Sequence, residues 1–216
     1  MNILFVGNSY TFFNDLPNLV YNLAINSGYE VSVDSVTRGG RFLYENLGDD
    51  EYAVRLSELS GSKKYDILVL QEQSHFAIKD YAKFEECIGI LKERISAERT
   101  VLYSTWGRKT GSPLLQEYGL TSREMTDKLY DAYCAAAKKH SCEIAPVGLC
   151  FAHMTEQHPE IELYNDDKSH PNEAGSSLGA IAFFKRFFGR LPDDYSSLPV
   201  GKDALAVIID TVEKFL

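Results

Sequence analysis

A serine hydroxyl is a weak nucleophile that needs a base within hydrogen-bond reach, itself held in the right tautomer by a third group. Three residues of this chain could supply those parts. Ser9 ends the run Ile3-Leu4-Phe5-Val6-Gly7-Asn8, where an apolar segment breaks into polar residues, and Asp167-Lys168-Ser169-His170 lies near the other end of the chain. In a tight loop, D-x-x-H spacing lets the carboxylate turn back onto one imidazole nitrogen and leaves the other free to face a serine. Read singly, Asp167 is more readily a turn or capping residue ahead of Pro171, and a lone His170 carries less still. Taken with a serine at a strand end, the three point to nucleophilic catalysis.

Acyl transfer also requires hydrogen-bond donors where the oxyanion develops. Gly40 can present a bare backbone N–H after the second strand, although a turn glycine is the plainer reading. Gln73 can offer a side-chain N–H after the third, with Gln71 as the competing choice. Tyr10, Phe12 and Trp106 lie beside or after strand ends and could line the pocket as a sugar-stacking platform, with core packing as the rival fate. Tyr10, Trp106 and Gln71 are the candidate substrate contacts. Phe183, Phe184, Phe187 and Phe188, at helical spacing, read as core or interface.

Other constellations are weaker. Ser74 and His75 are sequence neighbours whose side chains diverge on an extended chain. His153 and His158 are five apart, which rotates them off a common helix face, so no metal is expected. No G-x-S-x-G surrounds Ser9 and no G-x-G-x-x-G follows the first strand.

The elements that must position these groups alternate strand with helix. Strands are expected at 3–6, 30–36, 65–70, 99–104 and 143–147. Helices are expected at 16–27, with Asp15 as cap and Pro17 in the first turn, at 42–59 with a break at Gly48, and at 80–96. More follow at 121–139, 172–188 and 202–215, with a helical turn at 151–158 and a loop at 108–120. This pattern predicts an α/β sandwich with about five parallel strands, doubly wound, in one domain spanning 1–216. In such a sheet, ligands bind beyond the carboxyl ends of the strands, where Ser9 would sit.

The net charge of -9 and the lack of a basic cluster argue against a nucleic-acid partner. Cys87, Cys134, Cys142 and Cys150 form no C-x-x-C pair and read as free thiols of a reducing compartment. No apolar run approaches the ~20 residues that cross a bilayer. The chain opens on a strand without a basic n-region, so a cytoplasmic location and no membrane partner are expected.

These residues resemble a family. Gly7-Asn8-Ser9 is similar to the first block of the SGNH (GDSL-like) hydrolases and Gly40 to their second-block glycine. Gln71-Glu72-Gln73-Ser74 stands where the third block falls, and Asp167-Lys168-Ser169-His170 looks like the fifth-block D-x-x-H. The resemblance covers nearly the whole chain in order. It implies a flavodoxin-like three-layer α/β/α fold and a triad of Ser9, His170 and Asp167. It also implies an oxyanion hole from the Ser9 and Gly40 amides and a third-block side chain, with no metal or cofactor. The family's first-block aspartate is Asn8 here. Its third-block Gly-x-Asn-Asp is replaced by Gln-Glu-Gln-Ser, which puts Gln73 in the asparagine's place and resembles a largely uncharacterised subgroup.

The expected activity is hydrolysis of small acyl esters, acetyl first, with a small-molecule or carbohydrate ester as substrate. The rate should fall on the acid side, because a protonated imidazole cannot accept the serine proton. The competing expectations are a lipase or thioesterase taking longer chains, and a binding protein that has lost turnover.

Overall fold

Ile3, Leu4, Phe5 and Val6 are wholly buried, because the strand they form lies inside a sheet covered on both faces. A computed structural model describes residues 1–216. It places β1 (Asn2–Gly7) between β2 (Ser32–Thr37) and β3 (Tyr65–Leu70), with β4 (Ala97–Tyr103) and β5 (Glu143–Ala145) beyond. The order is β2-β1-β3-β4-β5 and every pairing is parallel. Phe5 lies in register with Ser35 on one side and Val69 on the other, and Val69 with Val101.

Side chains alternate across a strand, so each run feeds two cores. Ile3, Phe5, Ile67, Val69, Val101 and Tyr103 pack into one, which holds α2 (Leu16–Asn26), α8 (Val147–Gln157), α9 (Glu173–Phe188) and α10 (Lys202–Phe215). Leu4, Val6, Leu68, Leu70 and Leu102 pack into the other, with α3 (Glu51–Ser62), α5 (Tyr81–Arg94) and α7 (Ser122–His140). The result is a three-layer α/β/α sandwich. The first core is heavily aromatic: the Phe183 ring meets Phe5 edge-on at 5.3 Å and Tyr103 at 4.8 Å. Burying one such side chain stabilises the fold by roughly 1.5–3 kcal/mol.

Connections step from β1 outward to β2, then return across β1 to β3, so strand order reverses between β1 and β3. In open parallel sheets, ligands bind beyond the carboxyl ends at such a reversal. Short helices follow three of the strands: α1 (Ser9–Phe12) after β1, α4 (Phe76–Lys79) after β3 and α6 (Pro113–Tyr118) after β4.

Several local expectations are corrected. Asp15 does not cap α2 with its side chain; Asn14 and Asp15 are left-handed, with φ of 52° and 53°, and form a kink between α1 and α2. The segment 42–59 divides into a 3-10 turn at Leu43–Leu47 and α3, which starts where the Asp50 carboxylate accepts from the N–H groups of Tyr52 and Ala53. Within 108–120, Pro113 starts α6 and Gly119, left-handed, ends it. The expected turn at 151–158 is an eleven-residue helix beginning at Val147. Gly148 weakens the helical pattern, yet only glycine fits there: a Cβ would lie 2.0 Å from the Thr105 carbonyl oxygen. All four cysteines are free. No helix is long and apolar enough to cross a membrane.

Candidate active site

The turn after β1 is fastened by buried polar groups. Gly7 leaves no space for a side chain, since a Cβ would lie 2.5 Å from Thr11 Oγ1 and 2.7 Å from Gln71 Oε1. Asn8 caps α1 by accepting from the Tyr10 N–H at 3.1 Å, and its Nδ2 donates to the Arg41 carbonyl at 3.0 Å. Ser9 therefore becomes the first residue of α1, where its own N–H has no carbonyl four residues back to bond. Its side chain is close to the surface, with the residue 8 % exposed.

The loop between α8 and α9 brings the opposite end of the chain to Ser9. Asp167 Oδ1 accepts from the N–H groups of Ser169 (3.0 Å) and His170 (2.9 Å), and Lys168 between them turns left-handed at φ 59°. Asp167 Oδ2 is then free to bond His170 Nδ1. The remaining imidazole nitrogen, Nε2, stands 2.8 Å from Ser9 Oγ. Burial pushes the Asp167 carboxyl up, but the bonds from the His170 side chain and the two backbone N–H groups outweigh it and hold the group below its ordinary value. Asp167 stays anionic at neutral pH.

Other side chains hold this loop in place. Phe13 stacks on the His170 ring at 4.3 Å and 11°. Tyr10 bonds Ser169 Oγ at 3.0 Å, and the Trp106 indole N–H donates to the Ser169 carbonyl at 3.1 Å. Asn14 Nδ2 donates to the Pro171 carbonyl and to Ser176 Oγ. Nothing in the sequence singled out Phe13 or Asn14, because their role depends on contacts across more than 150 residues.

Three expected substrate contacts are corrected. Trp106 is wholly buried and stacked flat on Phe151 at 3.7 Å, and Tyr10 is 3 % exposed against it. Gln71 is wholly buried too: Oε1 accepts from the Asn8 N–H and Thr11 Oγ1, and Nε2 donates to the Glu72 carbonyl. It is neither an oxyanion donor nor a surface for substrate. Of Tyr10, Phe12 and Trp106, Phe12 alone faces outward, 40 % exposed beside Gly39.

Gly40 and Gln73 sit on neighbouring loops with donors unspent. Gly40 is left-handed at φ 70°, and neither its N–H nor Gln73 Nε2 bonds within the chain. Glu72 ties the two loops together: Oε1 accepts from the N–H groups of Leu43 (3.1 Å) and Gln73 (2.6 Å). Its other oxygen is buried without a partner.

Burial pushes the Glu72 carboxyl up to about 7, opposed in part by those two amides. A group raised from near 4.5 favours the folded state while protonated and loses that advantage as pH climbs toward 7. The loss amounts to about 3 kcal/mol across that window. Urea unfolding at pH 5 and pH 8 should therefore show a smaller loss of stability in Glu72→Gln than in the wild type. Equal pH dependence in the two proteins would contradict this account.

No group of three or more His, Cys, Asp or Glu side chains is arranged to hold a metal ion. The rings of His153 and His158 are 6.3 Å apart at the end of α8. None of the main surface clefts is lined by Ser9, Gly40, Gln73 or His170.

No family model and no curated protein matches the chain. Solved structures do. A protein of Slackia heliotrinireducens assigned to the SGNH hydrolases is 28% identical with a TM-score of 0.75, over 87% of this chain and 98% of that one. A DUF4886 family protein from Bacteroides uniformis superposes at a TM-score of 0.80 with 16% identity, covering 100% of this chain and 94% of the other. The acetyl xylan esterase AlAXEase does so at 0.63 with 16% identity, over 86% and 99%. The last two are likenesses of fold. The first, more than a quarter identical over nearly the whole of both chains, carries the assignment together with the all-parallel sheet and its two helical layers: the chain belongs to the SGNH (GDSL-like) hydrolase superfamily.

Proposed function

We propose that this hydrolase is a serine esterase acting on short acyl esters, acetyl foremost, carried on small molecules or carbohydrates. The observation that carries this reading is the unbroken hydrogen-bonded series from Ser9 Oγ through His170 to Asp167. Ser9 Oγ attacks the acyl carbonyl carbon and gives its proton to His170 Nε2. The oxyanion is held by the amides of Ser9 and Gly40 and by Gln73 Nε2. His170 passes the proton to the departing alcohol, leaving an acyl-serine. Water, deprotonated by the same nitrogen, releases the acid and restores Ser9. Asp167 keeps the imidazole in the tautomer that accepts at Nε2.

The lack of a main cleft at Ser9 favours a short acyl group. A long chain gains affinity by burying methylenes, each worth ~0.8 kcal/mol, and no main cleft runs to Ser9 to receive them. The acetyl xylan esterase among the fold neighbours is consistent with acetyl on a carbohydrate. The expected result with p-nitrophenyl esters is kcat/KM highest for acetate and falling by about 10-fold or more at octanoate. A fluorophosphonate should label Ser9. Preference for octanoate would favour a lipase or thioesterase. Absence of both turnover and labelling would favour a binding protein.

A further inference from the structure

Arg108 follows β4 and lies over the ring of Tyr10, with its guanidinium carbon 5.8 Å from the ring centroid. Tyr10 in turn is 5.4 Å from the His170 ring, so the cation and the imidazole share one aromatic neighbour. Arg108 Nη2 donates to Ser74 Oγ at 2.8 Å, next to Gln73. Its Nε is buried without a partner, and Nη1 makes no hydrogen bond within the chain. No carboxylate oxygen comes within 4.0 Å of the guanidinium.

The chain treats two other enclosed arginines differently. Arg41 is clamped on Asp50, and Arg99 on Glu143. Arg186 Nε is likewise buried without a partner, but Arg186 sits in the last turn of α9, where carbonyls face a cation and the Glu143 charge acts on it. Arg108 alone is drawn partly out of water next to the candidate site with no anion near enough to pair. Removing a charge from water without a counter-charge is costly, and a guanidinium fork matches the oxygens of a carboxylate or phosphate.

The geometry points to an anion subsite at Arg108: the alcohol portion of the ester carries a carboxylate or phosphate, which the guanidinium pairs with while Ser9 attacks the acyl group. This rests on the serine-esterase reading. We assign the subsite to the alcohol side because His170 hands its proton to the departing alcohol, and Arg108 shares the Tyr10 ring with that imidazole and bonds Ser74 next to Gln73. The substrate class is thus an acyl ester of an acidic alcohol, such as a sugar acid or a phosphorylated polyol.

The test compares 4-acetoxybenzoate with its neutral analogue methyl 4-acetoxybenzoate. The wild type should favour the anionic ester in kcat/KM by about 10- to 100-fold, the range of a charge-assisted hydrogen bond. Arg108→Gln should bring that ratio close to one, and Arg108→Lys, which keeps the charge but not the fork, should retain part of it. No preference in the wild type, or a ratio unchanged in Arg108→Gln, overturns the subsite. Equal loss on both esters would also overturn it, by making Arg108 a support for Ser74 and Tyr10.

If neither ester is turned over, the esterase reading fails and the subsite is judged separately. Calorimetric binding of 4-hydroxybenzoate to the wild type, lost in Arg108→Gln, would then support it. No binding to the wild type would overturn it.

Discussion

Ser9→Ala should lower kcat on p-nitrophenyl acetate by about 10⁴-fold or more, with the fold intact. The substitution deletes one hydroxyl from a residue whose side chain bonds only His170, and the fastenings of the turn use Asn8, Thr11 and Gln71 instead. Circular dichroism and thermal midpoint should match the wild type within a few degrees. Activity that survives would move the nucleophile elsewhere. The next hydroxyl beside an imidazole is Ser74, 3.4 Å from His75 Nδ1, but its oxygen already accepts from Arg108. Survival of turnover in Ser9→Ala together with loss in Ser74→Ala would make that pair the site.

Asp167→Asn is expected to lower kcat by about 10³-fold with little change in KM. A buried aspartate in this role is worth ~10⁴-fold. Here the Asp167 side chain is 46 % exposed, so water can take over part of its work on the imidazole. Asparagine keeps Oδ1, which accepts from the Ser169 and His170 N–H groups, so the loop should hold its shape. What changes is Oδ2, the atom facing His170 Nδ1. An amide nitrogen there donates rather than accepts and favours the tautomer with its proton on Nε2, which cannot take the serine proton. A loss under about 3-fold would mean that the carboxylate serves only the turn of the loop.

The sequence makes local signals legible and hides directions. The sheet could be read because β1 and β3 are unbroken apolar runs, a pattern that fits strands buried on both faces. The meeting of Ser9, Asp167 and His170 could be anticipated because D-x-x-H is a local geometry and the parallel sheet fixes which ends share a crevice. Gln71 and Gln73 illustrate the limit. Both are polar residues after the same strand, two apart, yet Gln71 turns inward onto Asn8 and Thr11 while Gln73 stays half exposed. Composition does not distinguish them.

Trp106 and Tyr10 were hidden similarly, since an aromatic after a strand can face the cleft or the core. Arg108 carried no signal at all. Its meaning comes from the carboxylates that are missing around it, a tertiary property. The start of α8 is hidden in the sequence because Gly148 weakens the helical pattern there, while the reason for Gly148, the Thr105 carbonyl, lies over forty residues away.

Trp106 is the only tryptophan in the chain. Its indole is sealed between Phe151 and Tyr10 and bonded to the carbonyl just ahead of His170. The protein therefore carries one optical reporter, attached to the loop that bears Asp167 and His170. While that loop is seated, the indole emits from a dry aromatic cage. If the loop lifts while the sheet persists, the emission moves to the red with the far-ultraviolet dichroism unchanged. Loosening of the histidine loop can thus be followed by light, separately from loss of the fold.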